Sequence, residues 1–230
     1  TVDSDKGEFL MHEIFYDELR KLKVRFMEMG INVSEQIYRS TKSFIEHDKE
    51  LANEIVNDDQ EINSGEIQLE NQALKLIALQ QPVASDFRTI VSVLKASSDL
   101  ERIGDHAVSI AKETILVKGN PRVPQIEEKI SAMTADIRKM LEQVLDAYVK
   151  ADEKSARNIA QEDKKIDEQY KVCRDLIVKE MQHETKTAVA TSSYLLVARL
   201  LERIGDHIVN LSEWIVYSKN GHLVELNYKQ

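Results

Sequence analysis

The sequence predicts an all-α protein made of two tandem, pseudo-symmetric three-helix bundles, six long helices in all. Three observations predict it. The 230 residues include only 7 Gly and 3 Pro, so connections are few and elements long. Aromatic residues are 6% of the chain, and Leu, Ile, Ala, Glu, Lys and Gln dominate its periodic stretches, which favours helix over strand. Leu100-Glu101-Arg102-Ile103-Gly104-Asp105-His106 recurs as Leu201-Glu202-Arg203-Ile204-Gly205-Asp206-His207, at an offset of 101. A second correspondence runs upstream, where residues 48–63 align with 152–167 at an offset of 104. Self-similarity of this kind marks one structural unit used twice.

The elements follow in order. Residues 1–10 read poorly as structure and Met11 looks like a natural start, so this segment reads as an expression scar or a disordered N-terminus. The first unit spans 11–119, with helices expected near 11–46, 48–79 and 83–117. Pro82 is expected in the first turn of the third helix, where its missing N–H leaves nothing unsatisfied. Gly119-Asn120-Pro121-Arg122-Val123-Pro124 is the strongest break in the chain and sets a linker at 120–124. The second unit spans 125–219, with helices near 125–149, 152–183 and 186–219. Asn220-Gly221 reads as a helix stop before a tail at 220–230. Short connections make neighbouring helices antiparallel.

Charge and cysteine content exclude several functions. The net charge is −9, from 40 acidic and 31 basic residues, and no basic stripe with interleaved aromatics is present. Nucleic acid is therefore not the expected ligand. The single cysteine, Cys173, rules out an intrachain disulfide, fits a reducing compartment, and is expected to fill the core. No apolar run is long enough for a membrane span. No Walker loop, dinucleotide fingerprint or nucleophile constellation appears, so ATP hydrolysis and hydride transfer have no support.

The repeated motif carries the chemistry. Val83, Phe87, Ile90 and Leu94 form an apolar stripe that reaches Glu101 and Asp105 and resumes at Val108. Leu195, Glu202, Asp206 and Val209 repeat the pattern. Two carboxylates at i and i+4 thus interrupt a face that should look inward. On the middle helices, Asp59 with Asn63 and Asp163 with Asp167 have the same spacing. Paired like charges repel and their burial costs several kcal/mol, so something must neutralise them. Arg102 and Arg203 lie about 100° around the helix and face elsewhere. A salt-bridged seam and a hard cation on oxygen ligands are the two alternatives. Gly104 and Gly205, costly inside a helix, point to close approach of a backbone or ligand. His106 and His207 sit off the acidic face, as possible rim ligands or as hydrogen-bonding and packing residues. His12, His47, His183 and His222 show no pattern and are expected at the surface or at helix ends.

The two Glu-Arg-Ile-Gly-Asp-His motifs, Gln81-Pro82-Val83-Ala84-Ser85-Asp86-Phe87-Arg88, Asp59-Gln60-Glu61-Ile62-Asn63 and the opening Tyr16-Asp17-Glu18-Leu19 resemble the PhoU family over residues 11–219. The resemblance implies metal ions such as iron, Zn, Mn, Mg or Ca, in multinuclear clusters on Glu/Asp-x-x-x-Asp pairs. Carried over, these are Glu101 with Asp105, Glu202 with Asp206, and Asp163 with Asp167. Asp59 with Asn63 is the weaker counterpart. Family members often continue the motif as His-x-x-Asn-x-x-Glu. Asn210 and Glu213 match this and Asn210 joins the possible rim ligands, whereas the first copy has Ser109 and Lys112. The resemblance also implies a regulator that restrains phosphate uptake and starvation signalling. Its expected partners are the ATPase side of the phosphate ABC transporter and a sensor histidine kinase. The protein would be cytoplasmic, meeting the inner membrane face through partners, and homodimers are common in the family. A metal-free helical scaffold is the alternative. A carboxylate-bridged di-iron enzyme would need Glu-x-x-His on two helices, and only Glu180 with His183 offers it.

Overall fold

A computed structural model describes residues 2–58 and 60–226, with side chains described for 13–58 and 64–226. The described elements are helical throughout: α1 (Val2–Ile45), α2 (Lys49–Asn57), α3 (Gln60–Gln80), α4 (Ala84–Val117), α5 (Pro124–Lys150), α6 (Glu153–His183) and α7 (Ala188–Asn220), with a 3-10 turn at Thr185–Thr187. Two expectations change. The first helix starts at Val2, so residues 2–10 continue it instead of lying outside it as a disordered start. The first middle helix is two helices, broken at Asp58, which leaves seven helices among the described residues where six were expected. None of the described helices is long and apolar enough to cross a membrane.

Local chemistry explains the ends. Asp48 Oδ1 accepts from Leu51 N at 3.0 Å and Asp152 Oδ1 from Ser155 N at 3.1 Å, so equivalent aspartates N-cap the two middle helices. The residues before them, His47 and Ala151, share left-handed backbone, at φ 59 and 48. Gly221 closes α7 in the same region, at φ 73, and returns its N–H to Tyr217 O at 2.8 Å. Pro124, not Pro82, occupies the first turn of a helix. Pro82 lies in the turn before α4, behind Gln81, whose φ is 44.

The two repeats pack as equivalents. Helix α1 runs antiparallel to α5: Phe26 meets Tyr148 with ring centroids 4.5 Å apart, Gly30 lies under Leu145, and Thr134 donates to Thr41 at 3.3 Å. The Gly30–Leu145 and Thr41–Thr134 contacts are images of each other at the 104-residue offset, which locates a pseudo-two-fold axis between α1 and α5. Helices α4 and α7 pair in the same sense. One continuous core therefore joins α1, α4, α5 and α7, with α2, α3 and α6 on its flanks, so the bundles share an interior instead of standing side by side. Cys173 is buried in that core as expected, and burial pushes its thiol up to about 11.

The apolar stripe of α4 needs correcting. Val83, in the turn before α4, is 69% and Phe87 41% exposed, so the first two positions of the stripe face outward. The buried face runs through Ile90, Val93, Ser97, Leu100, Gly104, Ala107 and Ala111, about one position around from the stripe assumed.

The break between repeats is tied down. Glu127 Oε1 accepts from Arg122 Nε at 2.7 Å, Tyr194 OH at 2.9 Å and His47 Nε2 at 3.1 Å, and forms an ion pair with Arg122 Nη2 at 2.6 Å. Arg122 Nη2 also donates to Phe44 O at 2.8 Å, and its guanidinium stacks over Phe44. His47 is thus a helix-end residue with a part in a partly buried network that joins α1, α5 and α7 across the linker. Removing Glu127 strands the Arg122 charge. Glu127→Ala is expected to lower unfolding free energy by about 3–5 kcal/mol in urea titrations. A paired apolar replacement of Arg122 and Glu127 should cost much less than the sum of the single changes.

Candidate functional site

The repeated motif occupies the middle of α4 and α7, and its surroundings differ between copies. In the second copy α6 is unbroken and packs along α7, and the two carboxylates that face this seam are buried: Asp163 is 1% and Glu202 4% exposed. Asp206 and Asp167 are half-buried. A Cβ on Gly205 would lie 2.5 Å from Asp163 Oδ1 and 3.3 Å from Ile166 Cγ2, so the glycine lets the α6 carboxylate rest against the α7 backbone. Glu202 lies one turn before Gly205, on the same face. Close approach was the expectation at this glycine, and the approaching group is the acid itself.

The first copy is more open. Glu101 is half-buried and Asp105 exposed, so Asp105 does not interrupt the inward face as the helical arithmetic implied. The α2 helix ends at its C-cap Asp58, the counterpart of Glu162, where the second repeat has continuous helix. The side chains of Asp59 and Asn63 lie outside the described residues.

Neutralisation of Glu202 comes in part from a residue the sequence reading missed. Arg102 and Arg203 are exposed, and Arg199 Nη1 donates to Glu202 Oε1 at 2.7 Å. The i,i+3 spacing was the available signal. Among the described residues, no three His, Cys, Asp or Glu side chains gather closely enough to hold a metal ion. Glu180 accepts from Thr187 Oγ1 at 3.2 Å and His183 is exposed, so this Glu-x-x-His serves the turn before α7.

The three possible rim ligands face the other way, into the α4–α7 interface. His207 Nδ1 and Asn210 Nδ2 each lie 2.9 Å from Asp99 Oδ1, and Trp214 Nε1 donates to Asp99 Oδ2 at 3.1 Å. Asp99 also escaped the sequence reading, because Leu200 stands at its counterpart and the repeat therefore hides it. The rings of His106 and His207 lie 5.5 Å apart between centroids. Burial first, then the charges of His207, Arg203 and Arg102, hold His106 down to about 4.

Two predictions follow from this geometry. Gly205→Ala gains about 1 kcal/mol of helix propensity but drives Cβ into Asp163 and Ile166. A net loss of about 1–2 kcal/mol is expected, and Asp163→Ala should relieve part of it in a double-mutant cycle. The folded pKa of His106 lies below its usual 6.5, so the unfolded chain binds the extra proton between about 4 and 6.5. The contribution is complete above pH 6.5 and is lost as pH falls through that window. Allowing for partial exposure, the loss is on the order of 1–2 kcal/mol. Urea midpoints measured from pH 7.5 to 4.5 should show it, and His106→Gln should flatten that slope.

Comparison with known proteins agrees with this architecture. The model of the PhoU domain matches twice, at residues 26–114 and 130–215, once in each repeat. The chain is 36% identical over 217 residues to a phosphate-specific transport system accessory protein PhoU homolog of Streptococcus pneumoniae serotype 4, covering 94% of this chain and 100% of that protein. It is 31% identical over 207 residues to the phosphate-specific transport system accessory protein PhoU of Escherichia coli K12, covering 90% and 86%. The crystal structure of the phosphate transport system regulatory protein PhoU from Streptococcus pneumoniae superposes with a TM-score of 0.86 at 34% identity, covering 92% of this chain and 99% of that one. That of PhoU from Pseudomonas aeruginosa gives 0.86 at 31% identity, covering 90% and 100%. This chain belongs to the PhoU family.

Proposed function

We propose that this protein is a non-catalytic accessory regulator of phosphate-specific transport that restrains phosphate uptake and starvation signalling when phosphate is plentiful. One observation supports the reading: the likeness to a protein named as a phosphate-specific transport system accessory protein extends through both repeats, at 36% identity over 94% of the chain. The regulator acts in the cytoplasm, contacts the ATPase side of the transporter and a sensor histidine kinase, and reaches the membrane through them. A rigid two-repeat frame with a shared core suits an adaptor, since it presents two related helical faces at a set spacing.

The acidic seam is proposed to bind a hard divalent cation through Asp163 and Asp167 of α6 with Glu202 and Asp206 of α7. Glu101 and Asp105 form the more open counterpart. Support comes from the burial of Asp163 and Glu202 and from an all-oxygen donor set. When bound, the ion would offset carboxylate repulsion and stiffen the α6–α7 seam. The contact of Arg199 with Glu202 favours the second reading, a metal-free scaffold whose seam is salt-bridged.

Elemental analysis separates the two. Gently purified protein should carry divalent metal that Asp163→Ala and Glu202→Ala lose and Glu101→Ala reduces less. Metal-free native protein would leave the salt-bridged seam as the account. In cells, deletion should raise phosphate uptake in phosphate-rich medium and the intact gene should restore restraint. Unchanged uptake on deletion would overturn the regulatory assignment, whatever the metal content.

A further inference from the structure

Asp99 gathers three donors from a single face of α7. His207, Asn210 and Trp214 stand at i, i+3 and i+7, and all reach one carboxylate. Asp99 is 14% and His207 18% exposed at the side chain. The carboxylate on His207 Nδ1 selects the tautomer with that nitrogen protonated. The His106 ring lies on the same side of the interface, 5.5 Å from His207.

The cluster belongs to a longer pattern on α4. Ser92, Asp99 and His106 recur at heptad spacing and face α7. Ser92 Oγ donates to Trp214 O at 3.0 Å and lies 2.6 Å from Tyr148 OH of α5. Burial raises the Tyr148 phenol well above its ordinary value, so it stays protonated as the donor in that pair. Polar residues at a heptad seam cost stability and specify register, because any slip leaves them unmatched.

The pattern is one-sided. The counterpart of Asp99 is Leu200, and the counterparts of His207, Asn210 and Trp214 are His106, Ser109 and Glu113. A contact inherited with the repeat would occur twice, as Gly30–Leu145 and Thr41–Thr134 do. This one cannot form on the other side of the axis, so it distinguishes the two repeats.

We propose that Asp99 is a positioning residue that locks the register and angle between the two repeats, with His207, Asn210 and Trp214 as its docking face. Glu101 and Asp105 follow Asp99 on α4, and Asp206 precedes His207 on α7. The lock therefore sets how the two acidic motifs lie relative to each other, and so which composite surface a partner meets. This inference does not depend on metal binding.

The test uses the full chain. Asp99→Leu installs the residue of the second repeat, Asp99→Asn keeps one acceptor oxygen, and Asn210→Ala removes a single donor. Trp214 is the only tryptophan, so its emission and near-ultraviolet dichroism report the lock directly. Spin labels on cysteines introduced at Lys75 of α3 and Lys171 of α6, both exposed, report the inter-repeat distance. Native protein should give one narrow distance. Asp99→Leu should shift Trp214 emission to the red and broaden or displace the distance while far-ultraviolet helix content stays unchanged. Asp99→Asn and Asn210→Ala should fall between. If Asp99→Leu fails to fold, the two milder variants carry the decision. Native emission and a native distance distribution in the variants that fold would overturn the proposal.

Discussion

The structure depends on equivalent helices packing against each other across a pseudo-two-fold axis. Helix α1 meets α5 and α4 meets α7, in each case antiparallel, and all four contribute to one interior. A lone three-helix unit of about a hundred residues would leave one face of its first and third helices in water. Pairing the two units covers both faces at once, which is why the halves share a core. Close approach is built in at Gly30, under Leu145, and at Gly205, under Asp163.

A second constraint follows from the first. Where long helices with many charged residues are drawn together, some acids are taken out of water and need donors. The molecule meets this differently at each seam. Glu127 takes Arg122, Tyr194 and His47 at the linker, Asp99 takes three donors of α7, and Glu202 takes Arg199. The first two arrangements join elements that the hydrophobic effect alone would leave free to slide, because apolar burial carries no direction and a hydrogen-bonded carboxylate does. The regulatory reading draws on this rigidity, since an adaptor must hold two binding faces at a fixed relation.

Much of the frame was legible. The scarcity of glycine and proline, the break at residues 119–124, the stop at Asn220-Gly221 and the doubled motif are local or periodic signals, and chain-local physics determines them. The misses share a cause. The stripe through Val83 and Phe87 is a sound helical pattern, but these two residues remain exposed and the buried face lies one position around. The interruption at Asp58 lies inside a pattern that its counterpart continues as helix. His207 and Asn210 have the residue types of metal ligands, and their tertiary partner is a carboxylate.

By itself, then, the sequence determined the helical class, the number of repeats, the division between them and the presence of paired acids on equivalent helices. Those properties follow from backbone propensity and from spacing along one chain. Tertiary structure decided which acids are buried, what neutralises them and how the repeats are set against each other. Such outcomes depend on residues about a hundred positions apart, such as Asp99 with Trp214 and Glu127 with His47, and on which face of a helix finds a neighbour. Helical spacing names the residues on a face. Only the packed molecule supplies what lies opposite them.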